Sequence, residues 1–189
     1  TTAQSLGLMY YNDIVQRIPR EIIKKYEIEL KSILKTIDEN AILEIVGSYR
    51  RQKQDSGDID VIITATNDNK IVFNKFLDKL KKENLIEEFL SRGDVKSLVI
   101  GRLNKDSLAR RVDFLYSPPD EYPFATLYFT GSKEFNTAMR QLAKDNNLKL
   151  CEHGFYKKND KNANEEYKLQ DPIFKSEKDI FKYLNMKYK

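Results

Sequence analysis

The sequence predicts an α/β domain followed by a smaller α+β lobe. Segments with apolar residues at helical spacing alternate with short runs of branched residues, and Pro118-Pro119-Asp120 then interrupts that alternation. At 189 residues the chain is long enough for one full domain or two small ones sharing a core.

Taken in order, Ile22, Ile23, Tyr26, Leu30, Ile33, Leu34 and Ile37 form one helix face, so a helix is predicted over 19–37, with Pro19 acceptable in its first turn. Ile42 to Val46 reads as a strand feeding a tight turn at Gly47-Ser48. Asp58 to Thr64 is a second strand. Val72 to Leu90 reads as a helix or a broken pair of helices, and Val95 to Ile100 and Arg110 to Tyr116 as two more strands. In the smaller lobe Phe135, Met139 and Leu142 mark a helix stripe, whereas 157–168 has almost no apolar residue and is expected to be a mobile loop. Ser176-Glu177-Lys178-Asp179 has the pattern of a capping box opening a last short helix.

Composition narrows the chemistry. With 33 basic and 29 acidic residues the net charge is only +4, so a uniform basic field cannot by itself claim nucleic acid. No stretch approaches the roughly 18 apolar residues of a membrane span, so no membrane partner is expected; no charged-then-apolar signal pattern opens the sequence and it holds one cysteine, from which a reducing intracellular setting is expected. The single Cys151 excludes an internal disulfide framework and the single His153 a Cys/His zinc site. Cys151 is expected to be a small buried apolar residue, His153 a surface residue, and any metal must use carboxylates. The opening Thr-Thr, in place of Met, reads as trimming or excision from something longer.

Carboxylates occur in a suggestive arrangement. Residues two apart on a strand share a face, so Asp58 and Asp60 project together while Ile59, Val61 and Ile63 face the other way. Like charges so placed are costly unless one protonates or a cation sits between them, and hard oxygen ligands suit Mg²⁺. Asp113, between Val112 and Phe114, repeats the logic on another strand, which makes the three a two-metal candidate. An Asp-x-Asp at a strand end is equally the mark of an ordinary solvated turn. Gly47-Ser48 lies at a strand-to-helical-turn junction where free backbone N–H groups and the hydroxyl can hold phosphate oxygens; Arg51 follows within reach, and Gly57 offers a second close approach.

Together, Gly47-Ser48-Tyr49-Arg50-Arg51, Ser56-Gly57-Asp58-Ile59-Asp60, Arg110-Arg111-Val112-Asp113 and Tyr128-Phe129-Thr130-Gly131-Ser132 resemble the family X DNA polymerases of the DNA polymerase beta type. Arg17-Ile18-Pro19-Arg20-Glu21 and Ser176-Glu177-Lys178-Asp179-Ile180-Phe181 extend the resemblance over nearly the whole chain. It implies a nucleotidyltransferase palm with a mixed, mainly antiparallel sheet at 19–119, a small α+β thumb binding the nascent base pair at 120–189, and a remnant of the helical fingers region at 1–18. It implies template-directed addition of dNTPs to a primer 3′-hydroxyl on primer-template or gapped DNA, in repair, by a monomer without lyase activity.

By the same resemblance Asp58, Asp60 and Asp113 are catalytic and hold two Mg²⁺ ions, for which Mn²⁺ can substitute. Arg17, Ser48, Arg51 and Gly57 face the triphosphate. Tyr128, Phe129 and Gly131 lie against the sugar and Asn136 against the incoming base, while Arg111, Lys133 and Arg140 meet DNA. Tyr128-Phe129 stands where template-independent members carry Gly-Trp. Two positions depart from the pattern: Lys133 where an acidic residue is usual, and Leu115 in place of a basic one. Residues 133–189 hold 13 basic and 9 acidic side chains, so the whole net excess sits there and weak, salt-sensitive DNA binding is expected. Another nucleotidyltransferase of the same superfamily, a terminal-transferase-like activity and a non-catalytic DNA-binding module are the competing readings.

Overall fold

A computed structural model describes residues 1–159 and 162–188. The chain divides into two compact units, Thr1–Pro119 and Asp120–Lys189.

The first unit opens with helices α1 (Thr2–Met9) and α2 (Tyr11–Ile14) and the two-residue strand β1 (Ile18–Pro19). Helix α3 (Arg20–Lys35) follows, with Pro19 as its N-cap residue and not in its first turn; Ile23, Tyr26, Leu30, Ile33 and Leu34 are buried. Then come β2 (Ile42–Ile45), the single helical turn α4 (Gly47–Arg50), the short β3 (Asp55–Ser56) and β4 (Ile59–Thr64). Helix α5 (Ile71–Lys82), β5 (Ile86–Arg92), β6 (Lys96–Gly101) and β7 (Arg110–Tyr116) complete the unit.

The expected helix over 72–90 is therefore only half right. Asn84 adopts φ +61 just past the end of α5, a conformation that Asn tolerates better than most side chains and that stops the helix. Leu85 and Phe89 continue the helical spacing by coincidence; the chain turns back and pairs with β6.

The five strands are ordered β2-β4-β7-β6-β5. Only β4 and β7 run parallel; the other neighbours are antiparallel. Alternation along β4 and β7 sends Val61, Ile63, Val112, Phe114 and Tyr116 into a core with Phe73, Phe76, Leu77 and Leu80 of α5 and the buried face of α3. Asp60 and Asp113 consequently belong to the opposite, more open face.

The second unit contains α6 (Tyr122–Thr130), α7 (Lys133–Asp145), strands β8 (Leu148–Cys151), β9 (Gly154–Asn159) and β10 (Asn162–Lys168), and α8 (Glu177–Tyr183). The strands form a sheet ordered β10-β9-β8. This corrects the loop expected over 157–168: Lys157 pairs with both Leu148 and Tyr167, and backbone pairing needs no apolar side chain. Residues 160 and 161 of that stretch lie outside the described residues. Cys151 is half-buried rather than buried. Phe155, 1% exposed, is the hub of an aromatic cluster, its ring centroid 5.5 Å from that of Phe124, 5.3 Å from Phe174 and 5.2 Å from Tyr183. Ser176 and Asp179 form the capping box of α8.

Phe76 is fully buried and packs edge-on against Phe114, centroids 5.9 Å apart. Phe76→Ala is expected to destabilise the first unit by about 3–5 kcal/mol, the usual cost of an aromatic-sized cavity, with Phe76→Leu costing less. Urea denaturation followed by circular dichroism measures both.

Candidate active site

The parallel pairing of β4 and β7 places Asp60 opposite Asp113. Two carboxylates side by side on a half-buried surface repel each other and are poorly solvated, so each resists ionisation. The Asp60 carboxyl is pushed up to about 7, first by burial and then by the charges of Asp58 and Asp113, against a smaller downward pull from Arg111 and Lys96. Asp113 is raised by burial, an effect that Arg111 opposes and Asp58 reinforces. Asp58 lies one residue before β4, and its carboxylate is ion-paired with the guanidinium of Arg111 on β7.

Glycine fixes where Asp60 can sit. Gly47 opens α4 at φ +59, and a Cβ built there would collide with Oδ2 of Asp60; the Val46 N–H donates to the Asp60 carbonyl at 2.9 Å. The metal-type carboxylate and the turn with phosphate-type N–H groups are thus one packed object, which only glycine permits.

These residues suit a hard divalent cation. Oδ1 of Asp113 is buried with no hydrogen-bond partner, an orphaned acceptor that a cation would satisfy. Oxygen donors of this kind are the usual ligands of such ions. Among the described residues no three acidic, histidine or cysteine side chains are already gathered as a ligand set; Asp58 is held instead by Arg111.

The predicted phosphate-binding residues assemble around α4. Ser48 donates its hydroxyl hydrogen to Oγ of Ser56 at 2.6 Å. The bridge between β1 and β3, with Ile18 opposite Ser56, carries the preceding Arg17 to Gly57, where the Cβ of any other residue would lie 3.3 Å from the guanidinium. Arg17 donates to the Asp55 carboxylate at 2.6 and 3.0 Å. Arg51 follows as the C-terminal cap residue of α4.

The sequence reading missed a brace beneath this turn. Arg20 donates to the Tyr49 carbonyl at 2.6 Å and lies 4.1 Å over its ring, while the Tyr49 hydroxyl donates to Glu27 at 2.8 Å. Arg20 and Tyr49 both sit inside the quoted motifs, but no spacing rule links them across a separation of 29 positions. Ser56, buried and paired to Ser48, was missed for the same reason.

In the second unit, Tyr128 and Phe129 occupy the last turn of α6, their rings edge to face at 5.0 Å, and Gly131 ends the helix at φ +69. Two side chains of α7 converge on Tyr128: Asn136 donates to its carbonyl at 2.7 Å, and the Arg140 guanidinium lies 4.8 Å over its ring. Lys133, the first residue of α7, is exposed. His153 is exposed too, and its ring nitrogen lies 2.6 Å from the Glu121 carboxylate.

A mixed sheet with paired aspartates on its parallel seam, beside a glycine-serine turn, defines a nucleotidyltransferase palm. Residues 17–119 match the DNA polymerase beta palm family and residues 125–189 the DNA polymerase beta thumb family. The chain belongs to the family X DNA polymerases. It is 31% identical over 199 residues to DNA polymerase lambda of Rattus norvegicus, an alignment covering 100% of this chain and 35% of that protein. With DNA polymerase lambda of Arabidopsis thaliana it shares 33% identity, covering 82% of this chain and 32% of the relative. With DNA nucleotidylexotransferase of Xenopus laevis it shares 27%, covering 100% and 43%. The chain therefore spans about a third of the two polymerase lambda relatives and under half of the third. Use of divalent metal goes with the family.

The raised Asp60 carboxyl carries a signature in stability. In the unfolded chain this group ionises near its ordinary value of 3.8, in the folded one near 7. Stability owed to it is fully present below about pH 4 and is lost as pH rises through about 7, an effect on the order of a few kcal/mol. Asp60→Asn is expected to flatten that slope in chelator-containing buffer, as read from thermal midpoints between pH 4 and 8. Separately, Gly47→Ala is expected to displace the Asp60 carboxylate and to cost about 1–2 kcal/mol for the left-handed backbone. Divalent cation is expected to raise the thermal midpoint of the wild type at pH 8, and the same change to abolish that rise.

Proposed function

We propose that this chain is the palm and thumb of a template-directed DNA polymerase that adds dNTPs to a primer 3′-hydroxyl, filling short gaps during repair. The observation that carries the reading is the Asp60–Asp113 pair on the parallel seam, with the orphaned Asp113 oxygen and Gly47 against Asp60. Residues 19–119 are the palm, 120–189 the thumb, and 1–18 belong to the helical fingers region; the enzyme acts intracellularly as a monomer.

Asp60 and Asp113 would hold divalent cation, two Mg²⁺ ions on the family pattern, with Asp58 joining when it leaves Arg111. When bound, such ions neutralise the triphosphate and lower the pKa of the attacking hydroxyl. The chain's own residues do the rest. Asp113 accepts the proton of the 3′-hydroxyl; the oxygen forms a bond to the α-phosphorus, and the bond to pyrophosphate breaks. Arg17, Ser48, Arg51 and Gly57 orient the triphosphate, the arginine forks each able to hold two oxygens.

In the thumb, Tyr128, Phe129 and Gly131 lie along the sugar and disfavour a 2′-hydroxyl by steric fit, Asn136 meets the base edge, and Arg140 the template. The contacts of Asn136 and Arg140 with Tyr128 support this grouping. Lys133 and Arg111 add positive charge toward DNA.

Template independence is the second reading, favoured by the likeness to a DNA nucleotidylexotransferase and opposed by Tyr128-Phe129. Single-nucleotide incorporation on a one-nucleotide gap and on single-stranded primer separates the two: gap filling with little extension of single strands is expected. Asp113→Asn should lower the rate by at least about 10²-fold, as losses of groups that act at the reacting centre do. Equal rates for the variant and the wild type would overturn the assignment.

A further inference from the structure

We infer that Asp55 is a positioning residue for the incoming triphosphate: it grips the Arg17 guanidinium along one edge and leaves the other, over Gly57, turned to the phosphates. The inference rests on the polymerase reading above and concerns a side chain that lies between two of the quoted motifs and in neither of them.

The short ladder of β1 and β3 supplies the placement. Ile18 stands opposite Ser56 and Pro19 opposite Asp55, and just beyond them the Arg20 N–H donates to the Gln54 carbonyl at 2.9 Å. Residues alternate between the two faces of such a ladder. Ile18 and Ser56, each 1% exposed, take the inner face and fix the register. Arg17 and Asp55 therefore share the outer face, diagonally across the pair. One step along the same ladder, Arg17 meets Gly57, where the missing side chain leaves room for the guanidinium.

Hydrogen bonds decide which edge is held. Nε of Arg17 donates to Oδ1 of Asp55 at 3.0 Å and Nη2 to the same oxygen at 2.6 Å, while Nη2 also donates to the Asp55 carbonyl at 3.2 Å. A guanidinium carries five N–H donors in a rigid fork, so these three contacts set its plane. Both donors of Nη1 remain, without a partner among the described residues, and Nη1 is the atom that lies over Gly57. In the polymerase reading Gly57 borders the triphosphate, so the unused donors stand where phosphate oxygens arrive.

Stability does not account for the pair. Both side chains are more than half exposed, where an ion pair contributes little. What the contact supplies is orientation, because an arginine already held in one rotamer loses less freedom on meeting its ligand. The carboxylate also repels an arriving anion, an effect that solvent and salt screen at this exposure. Asparagine separates the two effects: its amide oxygen can accept both bonds that Oδ1 accepts, and it carries no charge.

The test compares Asp55→Asn with Asp55→Ala in the full chain, both uncharged and differing in the acceptor. In single-nucleotide extension with divalent cation, the KM for dNTP of Asp55→Ala is expected to be about threefold to tenfold above that of Asp55→Asn, the effect of one side chain set free, with kcat and the KM for DNA alike in the two. In an Arg17→Gln background that difference should vanish. Titration calorimetry with inorganic tripolyphosphate should give the same ratio in Kd, at thermal midpoints that agree between the variants. Equal KM and Kd for the two variants, or a difference that survives Arg17→Gln, would overturn the assignment. If the variants are equal while the wild type extends primers, Asp55 alone is wrong. If tripolyphosphate shows the difference while the wild type extends no primer, the aimed arginine stands and the polymerase reading falls; if the wild type neither binds tripolyphosphate nor extends primers, both fall.

Discussion

Everything in the first unit is arranged around a repulsion. Two carboxylates are fixed opposite each other because β4 and β7 run parallel and in register, while every other neighbour in the sheet is antiparallel. The strands cannot slip to relieve the strain, because their other faces are locked into the core by Val61, Ile63, Val112 and Phe114. A one-residue shift would turn each apolar side chain outward and each aspartate inward. The hydrophobic core thus holds in place an electrostatic conflict that a cation resolves.

The turn at Gly47 extends that constraint to the neighbouring site. Its close approach to Asp60 makes the carboxylate and the α4 backbone a single contact surface, and the Arg20–Tyr49–Glu27 chain ties the turn to α3. The position of the carboxylate is in this way linked to the position of the glycine-serine turn. The linkage runs through packing and hydrogen bonds that involve none of the atoms proposed to react.

Legibility followed the physics of each element. Helix α3, strands β2, β4, β6 and β7, and α8 could be read from periodicity and capping because each buries one apolar face or carries a local signal. Strand β5 was hidden because Leu85 and Phe89 mimic a helix stripe, and only the backbone at Asn84 reveals the break. Strands β9 and β10 were hidden because their stability lies in pairing, which composition does not register. Helix α6 is apolar on nearly all sides, so no period stood out. At the site, same-strand spacing put Asp58 with Asp60, but that Asp113 lies beside Asp60 in a parallel pair is a tertiary fact, as are the pairing of Asp58 with Arg111 and the contact of Ser48 with Ser56.

The guanidinium of Arg111 lying against Asp58 has a bearing on how such a chain comes into being. A newly made sheet that gathered three anions at one place would have to wait for mineral ions before it could close. With an internal counterion supplied by its own β7, the chain answers part of that charge from within its own sheet.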